Sequence, residues 1–306
     1  MRSYNYKKDC IAVAIQGVIS KLNLNVDISY LMQPSFIRKP NSSTDKGTVF
    51  GNKANPIIAL EEHGVAISQR KFTAGEMDDF LDYLSDAECI VINHLYATIL
   101  KNLNMAKELP SGVKHMFFTK ELNPKKNNIL FRTSDEYFKV ISWRHLFDNQ
   151  QDAVTVYKFH KSTLNKDFKL SVRNNFENSL SRFIEHSTPE ANRELLAFHR
   201  AAYERGDAKA CLVWINLVRL IYAQRAWCAR FIVKEYGSKG SAYQELIAIR
   251  DLYLNAFTAF NTLTSTLDYD ECLPYFERIA DAMNREIVLV NSILNPAIGK
   301  PSLVAV

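Results

Sequence analysis

The stretch ACLVWINLVRLIYAQRAWCARFIV, residues 210–233, constrains this chain more than any other. It is apolar on most sides over several helical turns, so it requires neighbours around much of its circumference. Asn216, Arg219, Arg225 and Arg230 interrupt it. No run therefore reaches the roughly 18 apolar residues expected of a membrane span. The whole run from 207 to 236 stops at Gly237 and reads as the central helix of a bundle. Before it, SVRNNFENSLSRFIEH puts Val172, Phe176, Leu180 and Phe183 on one helical face. TPEANRELLAFHRAAYERG opens with Thr188 as N-cap and Pro189 in the first turn, and it ends at Gly206. Two further helices are expected over 240–266 and 269–294. Beyond about residue 150 the pattern is nearly all helical.

Before residue 150 the apolar runs are short and separated by turn-rich segments. ECIVINHLY (88–96), VKHMFFTKEL (113–122), NNILFRTS (127–134) and YFKVIS (137–142) read as strands. ELNPKKNNI supplies a turn between two of them. Helical periodicity occurs at 10–22, 56–64 and 74–85, the last with Thr73 as N-cap and Glu76 three residues on. Residues 36–55 read as a long polar loop, and GKPSLVAV as a tail.

Composition narrows the function classes. Of 306 residues, 47% are hydrophobic and 23% charged, which describes a globular chain. A net charge of +5 is too small to argue for nucleic acid. MRSYNYKKDC has no apolar signal-peptide region, so a cytoplasmic protein is expected. The five cysteines are odd in number and form no CxxC, which argues against a disulfide framework and a zinc site.

Cys10 stands out among them. It follows Asp9, a good N-cap, and opens CIAVAIQGVISKL. A thiol in the first turn of a helix meets the positive end of the helix dipole, which favours the thiolate. The competing reading is a small apolar core residue. A nucleophilic thiol needs a base. Of the seven histidines, His63, His145, His160, His186 and His199 have no distinctive setting. His115 begins the apolar strand HMFFTKEL after the turn LPSG, and His94 in VINHLY is the second candidate.

DCIAVAIQGVI, AECIVINHLY, LPSGVKHMFFTKELNPKKNNILFRTS and YFKVISWRHLF follow in that order. Their order resembles papain-like peptidases of the C39 type. More closely, it resembles the N-terminal domain of the butirosin biosynthesis protein H family, over roughly residues 4–150. The resemblance implies an α+β, papain-like cysteine-protease fold, in which an N-terminal helix packs on an antiparallel sheet, followed by an all-α region. Residues 1–150 would be the catalytic domain. Residues 151–306 would be a helical domain covering the active site or docking a carrier protein. Cys10 matches the nucleophile and His115 the general base. For the third member, Thr133 matches by position and Asp135 is the better electrostatic partner. Papain-like enzymes carry a Gln six residues before the cysteine; Tyr4 stands there, with Asn5 next, as alternative oxyanion donors. Asn93 and His94 fall where the acceptor would bind.

Members of this family make amides, so the resemblance implies a cysteine-dependent acyltransferase. It would take an acyl group from the phosphopantetheine thioester of an acyl or peptidyl carrier protein and pass it to a small amine or diamine. No cofactor or metal of its own is implied. Lys7, Lys8, Arg38, Lys125 and Lys126 could meet an acidic carrier protein. A narrower likeness is to the closthioamide-type amide synthetases, which act on polyamide or polythioamide chains in antibiotic biosynthesis. Two other readings compete: a C39-type peptidase, and a non-catalytic scaffold protein in which Cys10 is core.

Overall fold

A computed structural model describes residues 10–36, 38–40, 48–50, 55–85, 87–95, 114–123, 128–132, 138–147, 153–237 and 240–295. The chain is α+β and divides into two compact units. One comprises Met1–Leu31 and Pro56–Phe168, the other Met32–Asn55 and Lys169–Val306. The expected division near residue 150 is thus displaced to Phe168. The cause is a strand absent from the sequence reading. Val154–Lys161 lies in the interior of the first unit's sheet, and Met32–Asn55 belongs with the helices.

The first unit holds a six-stranded antiparallel sheet. In chain order its strands are β3 (Val65–Phe72), β4 (Cys89–Leu95), β5 (Lys114–Asn123), β6 (Asn128–Arg132), β7 (Phe138–Ser142) and β8 (Val154–Lys161). They lie side by side as β3-β8-β4-β5-β6-β7. A register shift between Thr119 and Glu121 interrupts the β5–β6 ladder. β8 is buried along most of its length because it has a strand on either side. That burial hides its alternation, since Thr155 and Lys158 are buried with their apolar neighbours. The Lys158 ammonium lies 4.0 Å from the centroid of the Tyr83 ring.

Two layers cover the sheet. On one face Phe72, Ile90, Ile92, Phe117, Ile129, Val154 and Val156 join Phe80 and Leu84 of helix α4 (Met77–Ser85) and Leu146 and Phe147 of a 3-10 turn. Thr73 caps the approach to α4, its backbone N–H and its hydroxyl both donating to Glu76 Oε2 at 2.9 and 2.8 Å. Helix α1 (Cys10–Lys21) packs on the other face, mainly against β5. Its inner residues include Ala12, Ala14, Gly17 and Val18. Small residues let its backbone approach closely. An added Cβ at Gly17 would stand only 2.3 Å from Cγ of Phe118. Two short helices, α2 (Ile28–Leu31) and α3 (Pro56–Glu62), complete this unit.

In the second unit, β1 (Arg38–Pro40) and β2 (Thr48–Phe50) pair antiparallel within the expected polar loop. Helix α5 (Phe168–His186) is followed by α6 (Pro189–Glu204), α7 (Ala208–Tyr236), α8 (Ser241–Ser265) and α9 (Pro274–Leu294). The side chains of Thr188 and Asp207 cap α6 and α7 by accepting from Ala191 N and Ala210 N. Helix α7 touches the other four: Trp214 meets His199 of α6, Phe260 of α8 and Phe276 of α9, Arg225 pairs with Glu286 of α9, and Phe231 meets Phe176 of α5. That matches the expected central helix. Trp214, Val218, Ile221 and Phe231 are buried, while Leu212, Val213 and Leu220 are exposed. Among the described residues no helix is long and apolar enough to cross a membrane.

Two buried polar groups mark this second core. Arg225 and Glu286 form an ion pair with no solvent exposure, and Arg225 also donates to Ser35 O at 3.3 Å and lies over Phe36. His199 stacks on Trp214 at 4.5 Å, and neither of its ring nitrogens has a hydrogen-bond partner. Burial lowers its pKa to about 4.

Two predictions follow from this packing. Ala has the higher helix propensity, yet Gly17→Ala is expected to lower stability by about 1–3 kcal/mol because its methyl overlaps Phe118. Phe118→Leu in the same chain should recover part of that loss; thermal melts of the single and double variants measure both. His199 is neutral in the fold but protonates near pH 6.5 when unfolded. Its contribution is therefore complete above about pH 6.5 and is lost as pH falls toward about 4. Denaturant titrations across that range should show His199→Phe losing less stability than the natural chain, by an amount on the order of 3 kcal/mol.

Candidate functional site

The site is built from the start of α1 and the end of the sheet beside it. Asn23, just past α1, accepts a hydrogen bond from Lys161 Nζ at 3.5 Å. Lys161 ends β8, beyond the pairing of Phe159 with Cys89, the first residue of β4. The C-terminal end of α1 therefore lies beside the start of β4, which is the later part of β5. Its N-terminal end points toward the start of β5. From Gly17 to Cys10 is seven residues, about 10 Å along a helix. That equals about three strand residues. Counted from Phe118, this brings Cys10 level with the step of the ladder where His94 pairs with His115, beside the Asn93–Met116 pair.

Asn93, His94 and His115 share one end of the β4–β5 ladder, and the count along α1 points Cys10 toward that end. Strand alternation then divides them. Phe118 lies against Gly17, so Val91, Asn93 and Met116 occupy positions on the α1 side. His94 and His115 occupy the alternate positions, in the set of Ile92 and Phe117. The order of the motifs along the chain carries no information about this parity. Tyr4, Asn5, Thr133 and Asp135 lie outside the described residues, as do Lys7, Lys8, Lys125 and Lys126. Arg38 is the first residue of β1, in the second unit.

Cys10 differs from the other four cysteines in setting. It is half-buried, while Cys89, Cys211, Cys228 and Cys272 are buried. Burial pushes the thiols of Cys211 and Cys272 up to about 11, and those of Cys89 and Cys228 up to about 12. Those four are held as neutral thiols and are poor nucleophiles. Cys10 is instead the first residue of α1, at the positive end of the helix dipole, which favours an anion.

One feature near the site was half-read from sequence. Asn93 was assigned to the acceptor, but its burial was not legible. It is half-buried, and its Oδ1 is buried without a hydrogen-bond partner. A separate groove lined by Arg70, Asp79, Asp82, Tyr83, Ser85 and Lys158 lies on the opposite face of the sheet. Arg70 is already bound to Asp79 there at 2.7 Å. Among the described residues no three His, Cys, Asp or Glu side chains gather to hold a metal ion.

Native-state alkylation checks the contrast among the thiols. Iodoacetamide should label Cys10 first, with the other four protected until unfolding, as read by peptide mass spectrometry. Equal labelling of Cys89 or Cys228 in the folded protein would overturn the assignment of Cys10 as the reactive thiol.

No protein-family model matches the chain, and no curated protein matches it, so its function has to be argued from these residues and their geometry.

Proposed function

We propose that the protein is a cysteine-dependent acyltransferase that forms amides, with a papain-like arrangement in its first unit. One observation carries the reading. The one partly exposed cysteine among the described residues stands at the N-terminus of a helix that packs mainly on β5, the strand that carries His115. A helix N-terminus favours the thiolate, and a strand end beside it leaves access for a substrate.

In this reading the Cys10 thiolate attacks the carbonyl of a carrier-protein thioester. A new C–S bond forms, and the phosphopantetheine sulfur leaves and takes up a proton. An amine then attacks the acyl-cysteine. The C–N bond forms, the C–S bond to Cys10 breaks, and the proton lost by nitrogen returns to the Cys10 sulfur through His115. Position in the ladder sets a condition on that base. His115 is the second residue of β5 and alternates with Met116 and Phe118, so this reading requires it to reach the thiol around the strand end. Thr133 or Asp135 would orient His115, and Tyr4 or Asn5 would assist the oxyanion beside the Cys10 backbone N–H. A thioester is already activated, which makes a lower demand on those donors than peptide cleavage does. The donor is an acyl or peptidyl carrier protein, the acceptor a small amine, and the setting the cytoplasm. The narrower form of the proposal is closthioamide-type coupling of a polyamide or polythioamide chain to a diamine.

Incubation with a carrier-bound or N-acetylcysteamine thioester should add the acyl mass to Cys10, and Cys10→Ala should abolish the adduct. His115→Ala should slow amide formation by about 100-fold or more, the scale of a lost general base. Cleavage of peptides without any acyl adduct would favour a peptidase instead. An inert thiol in a folded chain would sink both enzymatic readings.

A further inference from the structure

Three of the nine large hydrophobic side chains exposed among the described residues sit on α7: Leu212 and Val213, each 56% exposed, and Leu220, 42% exposed. At about 100° per residue they fall with the exposed Lys209, Asn216 and Arg219 within about 120° of the helix circumference. Single exposed hydrophobics are ordinary, but a group of them on one face marks a contact surface. The charge on this face has one sign. No Asp or Glu occurs in α7 between Asp207 and Glu235. Beside this part of α7 runs α8, with the Phe260 ring 6.1 Å from that of Trp214, and the chain carries no charged residue between Asp251 and Asp268. Neither Lys209 nor Arg219 has an ion-pair partner among the described residues. Asn216 turns its amide N–H back onto Leu212 O at 3.0 Å, so one of its donors is already used within the helix.

We infer that this face of α7 docks an amphipathic helix of a partner protein whose apolar stripe is bordered by acidic side chains. Leu212, Val213 and Leu220 meet the stripe. Lys209 and Arg219, about 15 Å apart along α7, pair with the acidic border near the two ends of the contact. The three-to-four-residue spacing from Lys209 to Leu220 is the one by which two helices lie along each other. The two cations restrict the occupant. A second copy of the chain would bring Lys209 and Arg219 against their own counterparts, with no acid on the face to relieve them. An anionic bilayer is held by clusters of several basic residues and by interfacial aromatics, and this face has two cations and no Trp or Tyr. A partner with acids beside its apolar stripe satisfies both the hydrophobic and the charged positions. The surface lies within the second unit, and the inference does not depend on the chemistry proposed for Cys10.

The probe is a fluorescein-labelled, stapled helical peptide with a leucine stripe bordered by glutamates. Its control carries lysines in place of the glutamates. Fluorescence anisotropy with the full chain should show the acidic peptide binding about tenfold tighter than the control, or more. The double variant Leu212→Ser, Leu220→Ser should weaken the acidic peptide about tenfold, the scale of lost interface anchors. Arg219→Glu should narrow or reverse the preference between the peptides, and added salt should weaken binding to the natural chain. Circular dichroism checks the fold, and Arg219→Glu carries the comparison if the double variant unfolds. Equal binding of the two peptides, no binding of either, or acidic binding unchanged in the variants would overturn the inference. Self-association of the natural chain in light scattering that the double variant loses would also overturn it, because a second copy would then occupy the face. Binding to phosphatidylglycerol vesicles that the double variant loses would overturn it in favour of a membrane surface.

Discussion

The close approach of α1 to β5 at Gly17 and Phe118 decides where the thiol of Cys10 stands. A helix resting on a sheet through larger side chains can slide and tilt by repacking them. Here the missing Cβ of Gly17 lets a phenyl ring seat against the helix backbone, and any larger residue would collide with it. The flanking Ala12, Ala14 and Val18 are buried, so the contact is dry along this side of the helix. At the far end, the Lys161 ammonium lies 3.5 Å from the carbonyl oxygen of Asn23, two residues past α1. The seat of Gly17 on Phe118 is the tighter contact and sets where the first turn of α1 stands. The position of Cys10 is thus set by packing some 10 Å away along the helix, and not by contacts of the thiol alone.

Much of this architecture was legible in the sequence. The helices expected at 10–22, 56–64 and 74–85 occur as Cys10–Lys21, Pro56–Glu62 and Ala74–Ser85, the last beginning as a 3-10 turn. The four expected strands occur within a residue or two of their predicted ends. These segments announce themselves because each carries one periodicity and ends on a turn or cap residue. The strand VTVYKFHK failed that test for a physical reason. Flanked by β3 and β4, it buries both faces, and its Thr155 and Lys158 are accommodated by the sheet and by the Tyr83 ring. No alternation survives in its letters, and missing it misplaced the domain boundary. The β3 strand VAISQRKF was missed from the other side. As an edge strand it is buried at Val65 and Phe72 and largely exposed between them.

The helical unit shows a similar limit. Its helices could be read from Thr188, Gly206 and Gly237 and from the apolar run of α7, but which faces of α7 lack partners could not. An apolar sequence reports how much of a helix could be buried, not whether partners exist for every face. Arg225 illustrates the point. In sequence it interrupts the apolar run, while in the fold it is wholly buried, paired with Glu286 and bonded to Ser35. A buried pair of this kind gives little net stability, because desolvating both charges offsets their attraction. Its effect is geometric. Removing either partner strands a charge, so the pair favours the one arrangement in which Glu286, Arg225 and the Ser35–Phe36 segment meet.

The least legible property of the candidate site is parity. Motif order places a histidine strand after a cysteine helix, and the fold keeps that order. Whether a strand residue faces the helix turns on a shift of one position, and at the position beside His115 that belongs to the α1 side the chain carries Met116. At that end of the sheet the α1-side positions carry Met116, Asn93 and Thr155, a face only partly apolar. An apolar surround raises a thiol's pKa, and the helix N-terminus opposes it. A thiol tuned by that balance, and not by a histidine stacked directly beneath it, is a milder nucleophile than one held as a thiolate–imidazolium pair. Such a thiol suits a thioester, whose carbonyl needs little further activation, better than it suits a peptide bond. On the proposed acyl-transfer reading, apolar neighbours at an acyl-cysteine would favour transfer to an amine over hydrolysis.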